Sequence, residues 1–227
     1  MTHAHATTSD MMGPPFPAEP GAGVYSGKLG MWVFLASDVM FFTALIGTYI
    51  ILRFSTDLTW AQPGAVLNVP LTAFNTFLLI CSSVSMVKAY AAIADGNQKG
   101  LRFWLGITIL CGAAFVGVQI YEYIKLVGHG FTPSGFREGS ELAAQALAEP
   151  AKYGTAGGLF GSTFFSMTGF HGFHVTCGVI SMSYLYVTRV LPGKYSRSDY
   201  RGIEVIGLYW HFVDLVWIVL FTIVYLI

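Results

Sequence analysis

The chain has 227 residues, of which 54% are hydrophobic and only 11% are charged. A typical soluble domain carries about 25% charged residues, so this composition excludes an ordinary water-exposed surface and predicts a membrane protein. The 12 Lys and Arg residues balance the 12 Asp and Glu residues, which leaves no basic surface for nucleic acid. The three isolated cysteines, Cys81, Cys111 and Cys177, form neither a CxxC motif nor a thiolate copper site, so we expect no disulfide framework.

Residues 1–28 are polar and rich in Pro, Gly, Ala and Thr, and we expect them to form a flexible cytoplasmic tail. Residues 29–227 are expected to form one membrane domain. It contains five apolar segments, each long enough to cross about 30 Å of hydrocarbon as a helix. The sequence therefore predicts an all-α integral membrane protein, a bundle of five transmembrane helices at Leu29–Leu52, Leu71–Ala94, Phe103–Val127, Gly157–Thr188 and Glu204–Leu226.

Two features of the second half of the chain refine this expectation. The long loop 128–156 contains the segment EGSELAAQALAEPAKY, which predicts a short surface helix ended by Pro150. The fourth apolar segment is rich in glycine, and small residues let membrane helices approach one another closely. We therefore expect a tightly packed bundle.

The distribution of positive charge predicts the orientation in the membrane, since cytoplasmic loops carry the excess of Lys and Arg. The 12 basic residues divide into eight on one side and four on the other. The larger set should be cytoplasmic, which places the N terminus inside and the C terminus outside. The eight are Lys28, Lys88, Lys99, Arg102, Arg189, Lys194, Arg197 and Arg201, and the four are Arg53, Lys125, Arg137 and Lys152.

Several ionisable side chains lie inside the predicted spans. Side chains three residues apart share a helix face, so the two residues of each close pair should point together. At 1.5 Å per residue, all but one of these side chains fall in one broad layer of the membrane, the exception lying near the outer end of the third span. Because an unpaired acid at this depth is costly, we expect a direct or water-bridged contact between the acid of the first span and the histidine pair. The residues are Asp38, the outer Glu122, the pair His171 and His174, and the pair His211 and Asp214.

Three interpretations of these residues are open: interhelical pairs that fix the packing, a proton or ion path, and a metal site. Di-iron bundles use Glu-x-x-His pairs, which this sequence lacks, so a metal site is the least favoured. We favour packing for His211 and Asp214, and Asp38 stays open between packing and proton transfer. Three histidines within the membrane are too few for two haems and a copper, so no cofactor is expected in this chain.

Four stretches carry a resemblance to a known family: FLASDVMFFTAL (34–45), VQIYEY (118–123), GSTFFSMTGFHGFHVTCG (161–178) and YWHFVDLVWIVLFTIVYL (209–226). In this order they resemble subunit III of haem-copper terminal oxidases. The chain is similar to the short five-helix bacterial form found in cytochrome c and ubiquinol oxidases, which lacks the first two helices of the seven-helix form.

The resemblance implies a non-catalytic subunit in the bacterial inner membrane that supports assembly, lipid binding and sustained proton uptake. Haem and copper would lie in partner subunits, with subunit I as the main contact and subunit II and a small subunit IV as further partners. Phospholipid would be bound. The family's buried carboxylate falls on Asp38, its histidine motif on His171 and His174, and a second buried acid on Glu122, while His211 and Asp214 lie in the closing motif.

We expect a cytochrome c oxidase, because GSTFF and TGFHG are more similar to the cytochrome c oxidase versions of these motifs. The alternatives within the family are a ubiquinol oxidase and an accessory homologue of a nitric oxide reductase. An independent proton-coupled transporter is the alternative from another class. The absence of an inverted sequence repeat argues against most transporter folds.

Overall fold

The computed structural model describes residues 25–55, 58–196 and 199–226. The predicted tail lies outside these residues as far as residue 24. Within these ranges, five long helices and three short ones follow one another, with a small antiparallel hairpin of β1 (Phe131–Thr132) and β2 (Gly135–Phe136) in the longest loop. The helices are α1 (Ser26–Ser55), α2 (Pro63–Val66), α3 (Val69–Ala94), α4 (Gln98–Gly128), α5 (Glu141–Ala148), α6 (Pro150–Tyr153), α7 (Gly157–Leu185) and α8 (Arg201–Phe221). Single π-helical turns extend α7 over Tyr186–Val190 and α8 over Thr222–Leu226.

All five predicted apolar segments are helical, and several of the helices extend beyond them into polar sequence. Helix α1 begins at Ser26 rather than Leu29, and α4 begins at Gln98 rather than Phe103. At α4 the reason is a cap, since the side chain of Asn97 accepts a hydrogen bond from the backbone N–H of Gly100 at 2.9 Å. Such a cap satisfies one of the free donors at a helix start, which lets the helix begin outside the apolar segment.

Within the described residues, four helices combine the length and the apolarity needed to cross a membrane: α1, α3, α4 and α8 with its π-turn. Helix α7 is long enough at 29 residues, but its glycines, hydroxyl side chains and histidines lower its mean hydropathy. Two of its polar side chains, Thr168 and His171, are fully buried among neighbouring helices. Helix α7 therefore depends on the bundle more than on lipid for a suitable environment.

Four of the long helices form a ring, in which α3 contacts α4, α4 contacts α7, α7 contacts α8 and α8 returns to α3. Helix α1 lies outside the ring, against α7 and α8. It buries few residues, namely Asp38, Phe42 and Tyr49, and most of its other apolar side chains are exposed. Lipid or a partner subunit must cover that surface in the membrane.

The centre of the ring is filled by aromatic side chains of α8, of which Trp210 and Trp217 are fully buried. Glycines on the facing helices make room for Trp210. A Cβ atom at Gly112 of α4 would lie 2.6 Å from the Trp210 ring, and one at Gly178 of α7 would lie 3.0 Å from it. The expected close packing at small residues is present at these positions, although Gly172 faces open space.

The loop between α4 and α7 forms a compact cover at one end of the bundle. The expected surface helix is α5, whose first turn is capped by the Ser140 hydroxyl, which accepts from the Ala143 N–H at 3.2 Å. It ends at Ala148, before Pro150. The hairpin packs on the start of α7 so closely that a Cβ at Gly161 would lie 2.4 Å from the carbonyl oxygen of Thr132.

We predict that Gly112→Ala destabilises the protein, because the added methyl group must displace the Trp210 ring, and overpacking of this kind costs about 1–3 kcal/mol. The measurement is the thermal unfolding midpoint in detergent. Gly117→Ala on the same helix is the matched control, since nothing lies within 4 Å of a Cβ there and Ala favours a helix over Gly by roughly 0.5–1 kcal/mol. Equal midpoints for the two variants would contradict the packing described.

Candidate functional site

Helices α3 and α8 are joined by a ladder of side-chain hydrogen bonds. The indole N–H of Trp217 donates to the Thr76 hydroxyl at 2.9 Å, and that of Trp210 donates to the Ser82 hydroxyl at 3.0 Å. One residue further, the Ser83 hydroxyl bonds to His211 Nδ1 at 2.7 Å. From the Thr76–Trp217 bond to the Ser82–Trp210 bond, residue numbers rise along α3 and fall along α8, as two antiparallel helices side by side require.

Helix α3 bonds to α4 in the same way. The hydroxyls of Ser85 and Thr108 lie 2.7 Å apart, and Asn75 Nδ2 donates to the carbonyl of Phe115 at 3.3 Å. These groups are buried, so each bond replaces one that water cannot supply. Helix α3 thus bonds to a helix on either side.

The buried acid of α1, Asp38, lies beside α7. Its Oδ2 atom is 3.5 Å from His174 Nε2, which confirms the contact expected between Asp38 and the histidine pair. At this distance the two groups form an ion pair or bind through a bridging water, and Oδ2 has no direct hydrogen bond within the described part of the chain. His174 donates its Nδ1–H to the carbonyl of Phe170 at 2.7 Å, which leaves Nε2 as the nitrogen that meets Asp38.

His171 contacts a different set of groups, although it shares one side of α7 with His174. It is fully buried and donates its Nε2–H to the carbonyl of Val213 on α8 at 3.1 Å. Its ring lies 4.7 Å from that of Trp217 and 5.9 Å from that of Phe115. The two histidines therefore do not act on Asp38 together, because a shared helix side is wide enough to meet two neighbours.

His211 and Asp214 meet through a third residue. Ser83 bonds to His211 Nδ1 and also interacts with Asp214. When His211 donates to the Ser83 oxygen, the Ser83 hydroxyl is free to donate to the Asp214 carboxyl group. Asp214 is buried, and its Oδ1 atom has no hydrogen-bond partner among the described residues. The pair thus bonds α8 to α3 rather than to α1 or α7.

Glu122 lies apart from the other ionisable groups, in the last turns of α4 and beside the first turn of α3. It is only 4% exposed. Its Oε1 atom accepts from the Thr72 hydroxyl at 3.0 Å and from the Tyr225 hydroxyl at 3.5 Å. Glu122 thus joins α4 to the start of α3 and to the end of the chain.

At the other end of the bundle, α1 is held to α8 by charge. Lys28 Nζ lies 2.6 Å from Glu204 Oε1, and the Tyr25 hydroxyl donates to Glu204 Oε2 at 3.2 Å. Burial raises the pKa of Tyr25, and the neighbouring Glu204 carboxylate raises it further. The phenol therefore stays protonated and remains a donor at physiological pH.

Two cavities adjoin these groups. One has a volume of 270 Å³ and lies between α3 and α8, beside His211 and Glu204. The other has a volume of 290 Å³ and lies at the opposite end, between α3 and α4, beside Glu122. No group of three or more His, Cys, Asp or Glu side chains able to hold a metal ion occurs within the described residues.

The sequence interpretation considered ionisable groups and missed the hydroxyl and amide side chains that bond them. These side chains recur along α3 at helical spacing, which was the available signal. The missed residues are Thr72, Asn75, Thr76, Ser82, Ser83, Ser85 and, on α4, Thr108.

The comparisons with known proteins all indicate the same family. The profile of "Cytochrome c oxidase subunit III" matches residues 19–135 and 143–227. A cytochrome c oxidase subunit 3 of Synechocystis sp. is 38% identical over 200 residues, covering 87% of this chain and 74% of that protein. The protein of the same name from Thermostichus vulcanus is 32% identical over 199 residues, covering 88% and 86%. That of Bacillus sp. strain PS3 is 33% identical over 219 residues, covering 93% and 92%.

The profile match extends over the whole ring of helices and includes every ionisable residue described above. The resemblance seen in four sequence stretches is thereby confirmed over most of the chain. With its long apolar helices, this is a multi-pass membrane protein that belongs to the cytochrome c oxidase subunit III family, the third subunit of haem-copper oxidases.

Proposed function

We propose that this chain is a support subunit without a redox centre of its own, and that it stabilises the catalytic subunit of a bacterial oxidase during proton uptake. The observation that carries the proposal is the family match over 19–135 and 143–227. The geometry agrees with it, because the membrane ionisable groups are dispersed to different neighbours rather than gathered around one reacting position. Haem and copper belong to partner subunits in this proposal.

The proposed topology has five spans, with the N terminus inside and the C terminus outside. Helix α7 is the fifth span because it is as long as the others and packs among α1, α4 and α8. Contacts of three basic residues support this orientation. Lys28 meets Glu204 and Arg102 bonds the carbonyls of Val190 and Leu191 at one end, while the backbone of Lys152 meets Gln62 at the other. The end with the larger set is cytoplasmic by the positive-inside rule.

We assign the polar contacts a packing role. Asp38 and His174 hold the middle of α1 against α7, and His211 and Asp214 hold α8 against α3 through Ser83. Each interhelical hydrogen bond contributes about 0.6 kcal/mol on average in a membrane protein. These polar contacts therefore stabilise the packing through their number rather than their individual strength. The alternative for Asp38 is proton transfer, and the geometry favours packing because its Oδ2 meets a single histidine whose other nitrogen is bonded to the backbone.

The proposed main partner is oxidase subunit I, with subunit II and a small subunit IV beside it and phospholipid at the interface. The long exposed apolar surface of α1 offers room for such contacts. We propose cytochrome c as the electron donor, because the relatives above are named cytochrome c oxidase subunits. Affinity purification of the tagged chain tests the proposal as a whole. Stoichiometric haem-bearing subunits should accompany it, and a colourless isolated protein after mild solubilisation would refute it.

The topology predicts one-sided labelling by a membrane-impermeant maleimide. In a background without native cysteines, Lys194→Cys should react only from the cytoplasm and Arg137→Cys only from outside. Both positions are exposed, so labelling depends on sidedness and not on burial. Reaction of Lys194→Cys from outside would reverse the proposed orientation.

The absence of a redox centre predicts that the chain, separated from its partners, is colourless and holds no stoichiometric haem, copper or iron. Optical spectra and metal analysis measure this directly. Deleting the chain should leave the haem spectra of the remaining subunits intact, since their ligands lie elsewhere. A bound haem in the separated chain, or loss of a haem band on deletion, would contradict the prediction.

Two substitutions separate packing from proton transfer at Asp38. Asn keeps the shape and can donate a hydrogen bond to His174 Nε2, whereas Leu leaves that nitrogen without a partner. If Asp38 has a packing role, the Asp38→Asn variant should retain near-normal turnover and proton pumping. The Asp38→Leu variant should weaken retention of the chain in the complex, because the unpaired buried group costs about 1–3 kcal/mol.

Proton uptake by the reconstituted oxidase and the amount of the chain retained after detergent washing are the two measurements. The exposed Thr43→Leu on the same helix controls for added apolar surface. An equal and large loss of proton uptake in Asp38→Asn and Asp38→Leu, with both complexes assembled, would establish proton transfer instead.

A further inference from the structure

The cavity between the first turns of α3 and the last turns of α4 combines charged groups with apolar walls. It has a volume of 290 Å³, many times the space that a single water molecule needs. Thr72, which bonds its Glu122, lies in the first turn of α3, so the cavity is at the outer membrane interface in the proposed topology. It is lined by Val66, Asn68, Leu71, Tyr121, Glu122, Lys125, Leu126 and His129.

Glu122 places a buried carboxyl group beside this cavity, and no basic side chain of the described residues pairs with it. The residue is 4% exposed, and no Lys, Arg or His nitrogen of the described residues lies within ion-pair distance of it. Both of its hydrogen bonds come from neutral hydroxyls and fall on Oε1. The second oxygen, Oε2, accepts no hydrogen bond from the described residues. A buried carboxylate without a cation is costly, so a cationic ligand in the cavity would favour the ionised form of Glu122 and pair with it.

A positive charge lies at the edge of the same cavity, and it too has no counter-ion in the described structure. Lys125 Nζ lies 5.7 Å from the centre of the Tyr121 ring and forms no ion pair there. His129 donates its Nδ1–H to the carbonyl of Lys125 at 2.7 Å, which leaves its Nε2 available to a ligand. Among the described residues, the cavity therefore presents one carboxyl group without an ion-pair partner inside and one cation without a counter-ion at its edge.

We propose that this cavity binds the headgroup of an ethanolamine phospholipid from the outer leaflet. The primary ammonium donates to Glu122 Oε2, and the phosphate meets Lys125 and His129. A choline headgroup has no N–H to donate, and a glycerol headgroup has no positive charge, so both fit Glu122 less well. The acyl chains lie along the exposed apolar side chains just below the cavity, Phe74, Phe77, Ile120 and Ile124.

This proposal rests on the proposed function, in which the chain binds phospholipid. It specifies the headgroup of that lipid and the position at which it binds. The experiment uses the intact complex that co-purifies with the chain, washed free of loosely bound lipid. It is then incubated with equal amounts of phosphatidylethanolamine, phosphatidylcholine and phosphatidylglycerol in mixed micelles. Native mass spectrometry counts the lipids retained on the subunit.

The wild-type complex should retain one phosphatidylethanolamine in preference to the other two lipids. Glu122→Gln keeps the bonds to Thr72 and Tyr225 but removes the charge, and it should reduce this retention about tenfold, as expected for a charge-assisted bond. Glu138→Gln, an exposed acid on the same side, is the matched control and should bind like wild type. Unchanged retention in Glu122→Gln, or a wild-type preference for phosphatidylglycerol or phosphatidylcholine, would overturn the proposal.

Lys125→Ala provides a second test that does not depend on the folding of Glu122→Gln, because Lys125 is exposed. It should weaken retention of phosphatidylethanolamine several-fold, whereas Lys152→Ala, another outer lysine, should not. Stepwise methylation of the ethanolamine nitrogen should weaken binding to the wild-type complex as N–H donors are lost. Indifference to both changes would refute the site, while haem-bearing partners would still co-purify if the proposed function is right.

Discussion

The packing of this bundle depends on the row of small hydroxyl and amide side chains along α3. Lipid tails are as apolar as the helices, so hydrophobic burial does not hold membrane helices together, and close packing and interhelical hydrogen bonds must do so. Helix α3 meets both needs, since its small side chains admit two buried tryptophans of α8 and bond to their N–H groups. The other side of α3 bonds to α4. The ring closes through α7, where glycine makes room for the Trp210 ring that α3 also holds.

Helix α1 is attached in a different manner, by separate contacts along its length. Lys28 pairs with Glu204 at one end, Asp38 meets His174 in the middle, and Tyr49 packs against Trp60 at the other end with ring centres 5.6 Å apart. Because most of its surface is exposed, these contacts determine which side faces the ring. The remaining apolar surface is thereby directed outward in a defined orientation, as contact with a partner subunit requires.

The ionisable residues illustrate why buried charge in a membrane protein does not by itself indicate catalysis. Asp38, His171, the His211–Asp214 pair and Glu122 each contact a different neighbour. Most of these contacts join one helix to another. Glu122 differs from Asp38 because its partners are neutral hydroxyls, and it adjoins a cavity that also meets Lys125. A cationic ligand in that cavity would supply the opposite charge that this environment lacks.

The amino-acid sequence alone determined the class of protein, the five long helices, the family and the contact between Asp38 and the histidine pair. Long apolar segments have few alternatives to helices in a membrane, and a buried acid needs a partner. The sequence did not show that His171 turns to α8 while His174 turns to α1, nor that Ser83 lies between His211 and Asp214. Only the tertiary structure decided these contacts. Residues three apart lie on the same side of a helix, but their directions differ enough for each to meet a different neighbouring helix.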